Sequence, residues 1–450
     1  MPRAIPISAP ERGLLDAAAR EPFIDIEVAV VTPLFGGGAT PRQTDPQQPV
    51  RGSSVRGQLR FWWRACQGAA HASVDDLFEA ESALWGNTER PSPLQVGVEM
   101  LDRGGEVVSG NYIPSRKDSD RYELSWIPRY KPIAYALFPF QGQLDKTRRN
   151  ILEYPATARE GVRFRLRIAD GTDGLSEAQR GQVRGAVWAW LTFGGIGART
   201  RRGCGSLYCA EAPFAPPTKP AEVAGWLKAQ ARGYLAGTQR QLPIPTLPGA
   251  AIVFGKVDHP PMGCWGIAVK LMQDFRQGVG FGRNSGSGPN RPGRSRWPEA
   301  DSIRQLSGTH DPQHAPTHVA RPYFPRADLG LPIIFHFQSR EDPAEATLEA
   351  DAAAQASRMA SPIILKPLTL GPDRAVALAL CLDAPRVWDV AGIGLRLRRP
   401  DRAIGTGELN DSEKNNQVTP LIRQGKGVSA RKAFMEFAAE QLKTTTGGLR

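Results

Sequence analysis

Ile24, Ile26, Val28 and Val30 alternate with Asp25, Glu27 and Ala29, the two-residue period of a β-strand with one buried face. A first strand is therefore expected over residues 23–31. From residue 54 the period changes to 3.6: Val55, Leu59, Trp62, Trp63, Cys66 and Ala70 share one arc of a helix that Ser54 caps and that runs to about residue 70. Strands follow over 94–100 and 161–168. The second of these alternates Val162, Phe164, Leu166 and Ile168 with Arg163, Arg165 and Arg167, which predicts a wholly basic polar face. A second helix over 176–193 and a last strand over 207–210 complete the order βαββαβ, the ferredoxin-like arrangement. That order sets the connection after residue 193 at a sheet edge, beside the first helix.

Prolines between 212 and 220 mark a boundary, a helix is expected around 221–234, and a second proline cluster at 243–248 leads into the other half. Strands are expected there over 266–271, 331–337, 375–382 and 393–397. A polar, mobile stretch over 407–427 and an amphipathic helix over 429–442, with Phe434 and Phe437 on one side, close the chain. The expected fold is α+β: two tandem ferredoxin-like (RRM-like, βαββαβ) domains with long insertions. The first spans 1–215, a linker and helix span 216–248, and a degenerate second copy spans 249–450. Residues 1–20, with Pro2, Pro6 and Pro10, read as an adaptable arm, and 32–49 as a long loop suited to function.

The chain of 450 residues carries a net charge of +12, which implies a polyanionic partner: nucleic acid first, an anionic membrane surface second. No stretch approaches the roughly 18 to 20 apolar residues of a spanning helix, and the N-terminus lacks the apolar core of a signal peptide. A cytoplasmic location without a membrane partner is expected. The five cysteines are scattered, with no C-x-x-C pair, which suits a reducing compartment and offers no zinc knuckle.

One stretch concentrates chemistry: Gly194-Gly195-Ile196-Gly197-Ala198-Arg199-Thr200-Arg201-Arg202-Gly203-Cys204-Gly205-Ser206-Leu207. Glycines let a backbone lie close to a ligand, and arginines supply forked donors that suit phosphate. Neither the dinucleotide fingerprint nor a P-loop is present, since Thr200 stands where a third glycine is required and no G-K-[ST] follows. A nucleic-acid backbone is thus favoured over a nucleotide cofactor, the alternative being a turn that merely joins helix to strand. Arg56, Arg60 and Arg64 fall one turn apart on the first helix, and no acid lies between Asp45 and Asp75 to pair with them locally. An insertion over 103–155 mixes Tyr112, Tyr122, Trp126, Tyr130 and Tyr135 with cations. That pattern serves base stacking or a small satellite core. Residues 276–296, rich in glycine and arginine, read as a segment that settles on RNA or a neighbouring subunit, or as a surface loop.

Candidate catalytic groups are few. His310, His314 and His318 have a four-residue spacing, but Pro312 and Pro316 break the helix that would align them on a metal. His336 falls in an expected strand as a core or rim residue. His71, at the end of the first helix, is the one histidine near the proposed groove that could serve as a general base. Binding rather than catalysis is the expected role, with no metal and no cofactor.

A glycine-rich loop of this form after a second helix resembles the RAMP superfamily of CRISPR RNA-binding proteins. Its company narrows the likeness: Thr32-Pro33-Leu34-Phe35-Gly36-Gly37, the run Arg51-Gly52-Ser53-Ser54-Val55-Arg56-Gly57-Gln58-Leu59-Arg60-Phe61-Trp62-Trp63-Arg64, Gly293-Arg294-Ser295-Arg296-Trp297-Pro298-Glu299, and Ser361-Pro362-Ile363-Ile364-Leu365. Together these motifs, spread over nearly the whole chain, resemble the first-subunit family of the type III-B Cmr effector complex. The resemblance implies a non-catalytic RNA-binding subunit near the 3′ end of the guide RNA that helps capture target RNA in antiviral defence. Its implied partners are guide RNA, single-stranded target RNA and other Cmr subunits. By motif match, Arg56, Arg60, Arg64, Arg199, Arg201 and Arg202 are placed on RNA phosphates, and Gly195, Gly197 and Gly203 let the backbone approach. Arg294 and Arg296 join them, although their segment fits a protein partner equally. Two rivals stay open: a guide-RNA-processing endoribonuclease using His71, and a purely architectural subunit whose basic patches face acidic partners.

Overall fold

In the computed structural model, which describes residues 21–449 apart from 39, 172–173, 289–292, 318–321, 338, 352–357, 391–393 and 410, the first unit is built on the alternating strands. It comprises β1 (Ile24–Val30), α1 (Gly52–Gln67), α2 (Val74–Trp85), β2 (Leu94–Val108), β3 (Thr157–Asp170), α3 (Glu177–Phe193) and β4 (Leu207–Tyr208). The strands run β4-β1-β3-β2, all antiparallel. Ser176 caps α3 by accepting from Gln179 N, and the Gln179 side chain returns the bond, a capping box. Ser54 does not cap α1. Arg51 holds that position, without a side-chain capping bond, because the glycine-serine run Gly52, Ser53 and Ser54 is already helical. Val55, Leu59, Trp62, Trp63 and Cys66 are buried as expected, whereas Ala70 lies exposed beyond the helix end.

The second unit follows α4 (Val223–Tyr234) with β5 (Thr246–Phe254), α5 (Pro261–Gln277), α6 (Glu299–Ser307), β6 (Ile363–Gly371), β7 (Arg374–Asp383), α7 (Ala430–Gln441) and β8 (Gly447–Gly448). Its sheet runs β8-β5-β7-β6. Each sheet therefore places its strands in the order last, first, third, second. The molecule is a mixed α and β structure with antiparallel sheets, as the sequence predicts.

The layers explain the residue patterns. Ile24, Ile26, Val28, Phe164, Leu166 and Ile168 pack inward on α1 and α3. The same helices meet the second sheet on their other side: Val376, Leu378 and Leu380 of β7 and Ile364 and Leu368 of β6 share one core with Trp62 and Trp188. The intervening Ala375, Ala377, Ala379, Ile363 and Leu365 face α5 and α7 in a second core. Helices on both faces account for the unbroken burial of β6. At about 1.5–3 kcal/mol per large apolar side chain removed from water, this shared core is the main tie between the units.

The outer face of the first sheet is not wholly basic. Arg163 pairs with Glu27 at 2.9 Å, Arg165 and Arg167 with Asp25 at 3.8 and 3.3 Å, and Arg167 with Glu99 at 3.2 Å. The neighbouring strands supply the acids that the 161–168 stretch of β3 lacks. Residues 266–271 lie within α5 rather than in a strand. Ala268, Val269 and Leu271 are all buried there, and a short, continuously apolar run has no period to separate helix from strand. Of 331–337 only Ile333–Phe335 is a strand. It joins Ala346–Ala350, Leu395–Arg398 and Arg402–Ile404 in a small separate sheet with its own core. Residues 407–427 hold regular structure, with Asp411 capping Ser412–Asn415 and Ile422–Arg423 paired to Lys426–Gly427. The arm expected over 1–20, and Ile393 and His318, lie outside the described residues.

Candidate nucleic-acid interface

The glycine-rich loop is zipped into the first unit by its backbone. Ile196 N donates to Gly205 O at 2.9 Å, Ala198 N to Phe35 O at 2.7 Å and Gly205 N to Pro33 O at 3.0 Å. Thr32 Oγ1 donates to Gly203 O at 2.6 Å and accepts from Ser206 N at 2.8 Å. Between Arg199 (φ 56°) and Gly203 (φ 87°), Thr200–Arg202 forms a short 3₁₀ turn that leans on the second unit. There Trp265 Nε1 donates to Arg202 O at 2.5 Å, the Arg202 guanidinium donates to Ile363 O at 2.9 Å, and Arg201 donates to Ser361 O.

The glycines serve this junction. A Cβ on Gly203 would lie 2.5 Å from the Trp265 ring, one on Gly197 2.5 Å from Phe35 O, and one on Gly195 2.8 Å from Gly205 O. Gly195 and Gly203 are buried. Their bareness lets protein approach protein, while Gly197 is exposed.

The arginines of the turn line a cleft of about 500 Å³ between the units. Arg199, Arg201 and Arg202 form one wall and Arg276, at the end of α5, and Arg326 the other, and no carboxylate lines it. Only Arg326 among these five has a carboxylate partner among the described residues, Glu299 at 3.0 Å. Arg201 and Arg202 donate to neutral carbonyls and Arg276 to Tyr135 Oη at 3.2 Å. Burial holds the Arg199 and Arg201 guanidinium groups below their ordinary range. Burial, reinforced by repulsion from Arg199, Arg276 and Arg201, pushes Arg202 down to about 10. All remain charged at neutral pH. The buried Nε–H groups of Arg199 and Arg276 have no acceptor among the described residues.

The cleft continues in both directions. A cavity of about 400 Å³ shares Arg276 and Arg326 with it and reaches Arg283 and Arg294, while one of about 220 Å³ shares Thr200 and Arg201 and reaches Gln58, Phe61 and Trp62. Shared lining residues set the three side by side in one row, a segmented furrow.

The other expected site arginines have partners of their own. Arg60 and Arg64 both pair with Glu81 of α2, at 2.7 and 2.6 Å, and Arg56 donates to Trp85 O. None of the three lines the furrow. The acid absent from their own helix is supplied by the next one. Arg294 sits on both oxygens of Asp301, at 2.9 and 2.8 Å, and Arg296 on Asn284 Oδ1 at 2.8 Å. Both pin their own segment, whose ends meet where Asn284 N donates to Arg294 O at 2.8 Å. In the insertion, Tyr130 is buried with Phe35, Ile133 and Phe140 in a satellite core, and Tyr112 Oη donates to Gln141 O at 2.9 Å. Sequence reasoning missed Arg326, which has no motif around it, and saw Arg276 only as the start of a loop.

His71 lies 2.9 Å from Asp76 and against Trp63, away from the furrow's lining. His336 is exposed and pairs with Glu345 at 2.9 Å. Pro312–His314 is a 3₁₀ turn, and among the described residues no group of three or more His, Cys, Asp or Glu could hold a metal ion. Likewise, no helix among them is long and apolar enough to cross a membrane.

Comparison with known proteins finds the RAMP superfamily model over residues 27–208. The Cmr subunit Cmr1-2 of the CRISPR system of Pyrococcus furiosus is 28% identical over 196 residues, 42% of this chain and 94% of that protein. Subunit Cmr1-1 of the same organism is 25% identical over 159 residues, 35% of this chain and 40% of that protein. Among solved structures, apo Cmr1 from P. furiosus aligns with 95% of this chain and 99% of its own, at 15% identity and a TM-score of 0.43. A chain of the type III-B Cmr-beta complex bound to cognate target RNA and AMPPnP aligns with 81% of this chain and 95% of its own, at 12% identity and a TM-score of 0.48.

Proposed function

We propose that this chain, whose residues 27–208 are a RAMP-superfamily domain, is the non-catalytic RNA-binding subunit of a cytoplasmic type III-B CRISPR effector. In this reading it sits near the 3′ end of the guide RNA, contacts other Cmr subunits and helps capture single-stranded target RNA. The similarity to Cmr1-2 supports the assignment to the complex. The observation that carries RNA binding is the cleft: five guanidinium groups, no lining carboxylate and two buried N–H donors without acceptors. A phosphodiester strand supplies both the charge and the acceptors. The shared strand order of the two sheets supports two tandem ferredoxin-like units over 1–215 and 249–450, joined through 216–248. The position of His71 outside the furrow favours binding over RNA cleavage.

The test is single-stranded RNA binding by the full chain across a salt series, beside an Arg199→Ala/Arg276→Ala variant. These two are chosen because neither bonds the backbone of β6, so the junction is left intact. Each phosphate contact contributes about −0.7 to the slope of log K against log salt for single strands. The variant slope should be shallower by about 1.4. A slope equal to the wild type's, with binding retained, would remove the cleft from the interface.

A further inference from the structure

The smallest chamber of the furrow is built differently from the rest. Its volume of about 220 Å³ lies below the roughly 300 Å³ at which pockets accept drug-sized ligands, so it suits one ring system. Its walls are aromatic where the cleft's are cationic: Phe61, Trp62 and Phe193 line it with Gln58, Gly194 and Arg201. The Arg201 guanidinium lies 5.4 Å from the Phe61 ring centre, and its bond to Ser361 O orients it there.

Two polar groups in this chamber lack partners. Trp62 is 2% exposed, yet its Nε1–H has no acceptor among the described residues. A Cβ on Gly194 would lie 2.6 Å from that nitrogen, so only glycine packs against it. The half-buried Gln58 amide, which can both donate and accept, also has no hydrogen bond among the described residues. An aromatic slot with an ambivalent amide and a guanidinium plane matches an unstacked nucleobase, which needs a π-surface and edge hydrogen bonds together.

We propose that this chamber holds one flipped-out base of the RNA strand lying in the cleft. The base lies against the Phe61 ring, which the Arg201 guanidinium backs at 5.4 Å, and Gln58 reads the base edge. The inference rests on the RNA-binding reading above and adds a base subsite to a phosphate track.

The experiment scans a single abasic nucleotide along a bound single-stranded RNA, using the full chain, Phe61→Ala, Phe61→Trp and Gln58→Ala. Stacking contributes about 1–3 kcal/mol per base, so one abasic position should weaken wild-type binding about 5- to 150-fold. Phe61→Ala should weaken intact RNA by a similar factor and lose sensitivity at that position, while Phe61→Trp restores both. Gln58→Ala, on the rim, keeps the fold and should change which base is preferred there. A flat abasic scan on RNA that binds with the full salt slope overturns the base subsite and leaves the phosphate track standing. Failure of the wild type to bind RNA overturns both. Should Phe61→Ala not fold, the Gln58→Ala result and the wild-type abasic scan still decide: no base preference and a flat scan refute the chamber.

Discussion

Lys366 is fully buried on β6, and its ammonium donates to Gly194 O at 2.8 Å and Leu191 O at 3.3 Å. These are carbonyls at the end of α3, where the helix leaves acceptors unsatisfied and where a cation is favoured. No carboxylate offsets the charge, and burial pushes the pKa from 10.5 down to about 7. The unfolded chain therefore carries one more proton than the folded chain between about pH 7 and 10.5. Stability must rise with pH across that window, and the cost of the buried charge is fully present below it. Integrated over the whole window the effect is about 5 kcal/mol, and between pH 7 and 9 about 2 kcal/mol. Lys366→Met removes the titration while keeping most of the volume. Urea unfolding of wild type and variant at pH 7, 8 and 9 isolates it, because all other groups cancel in the difference. The wild type should gain about 2 kcal/mol on the variant between pH 7 and 9. Parallel curves would show that this ammonium titrates at its ordinary value and would refute the reasoning.

Glu81→Gln should destabilise the first unit by about 2 kcal/mol in denaturant unfolding. It weakens two charge-assisted bonds at once, and the partly exposed arginines limit the loss. An unchanged midpoint would mean that Arg60 and Arg64 are held by water instead. Gly205→Ala places a Cβ 1.9 Å from Ile196 O at a φ of +61°, so a loss of about 2–4 kcal/mol is expected from strain and overpacking. Gly57→Ala, on the exposed face of α1 with nothing within 4 Å, should instead stabilise by about 0.5–1 kcal/mol. Thermal melts of the two variants should therefore move in opposite directions.

Elements with one buried face were legible in the sequence, because their period records the burial: β1, β3, α1 and α3 all fall where the alternation or the 3.6-residue arc places them. Among elements buried all round, β7 was read as a strand over 375–382, but α5 and β6 were not. α5 is wrapped by β6, β7 and the satellite core, so its apolar run carries no phase. β6 begins at the Ile363 of a quoted motif, but Lys366 and Pro367 hide its strand character. Its place at the sheet edge tolerates the proline. The loop was visible as a concentration of glycine and arginine. What its glycines approach was not, because Trp265 and Leu365 are distant in sequence. Glu81 was likewise hidden, since a test for acids within a turn of Arg60 and Arg64 cannot see the next helix.

Two populations of arginine in this chain differ in the charge of their partners as well as in their burial. Arg60, Arg64, Arg163 and Arg167 meet carboxylates, which fix the side chain and cancel its field at once. Arg201 and Arg202 are fixed as firmly, but by the backbone carbonyls of Ser361 and Ile363. A neutral acceptor orients a guanidinium without neutralising it. Burial then keeps the solvent from screening what remains. Such an arrangement costs stability in the free protein, since the charges repel and are desolvated, and a bound polyanion recovers that cost. The acceptors that do the orienting come from the second unit and the arginines from the first. The positive cleft is therefore a property of the docked pair, and the core shared by α1, α3, β6 and β7 is what holds it open.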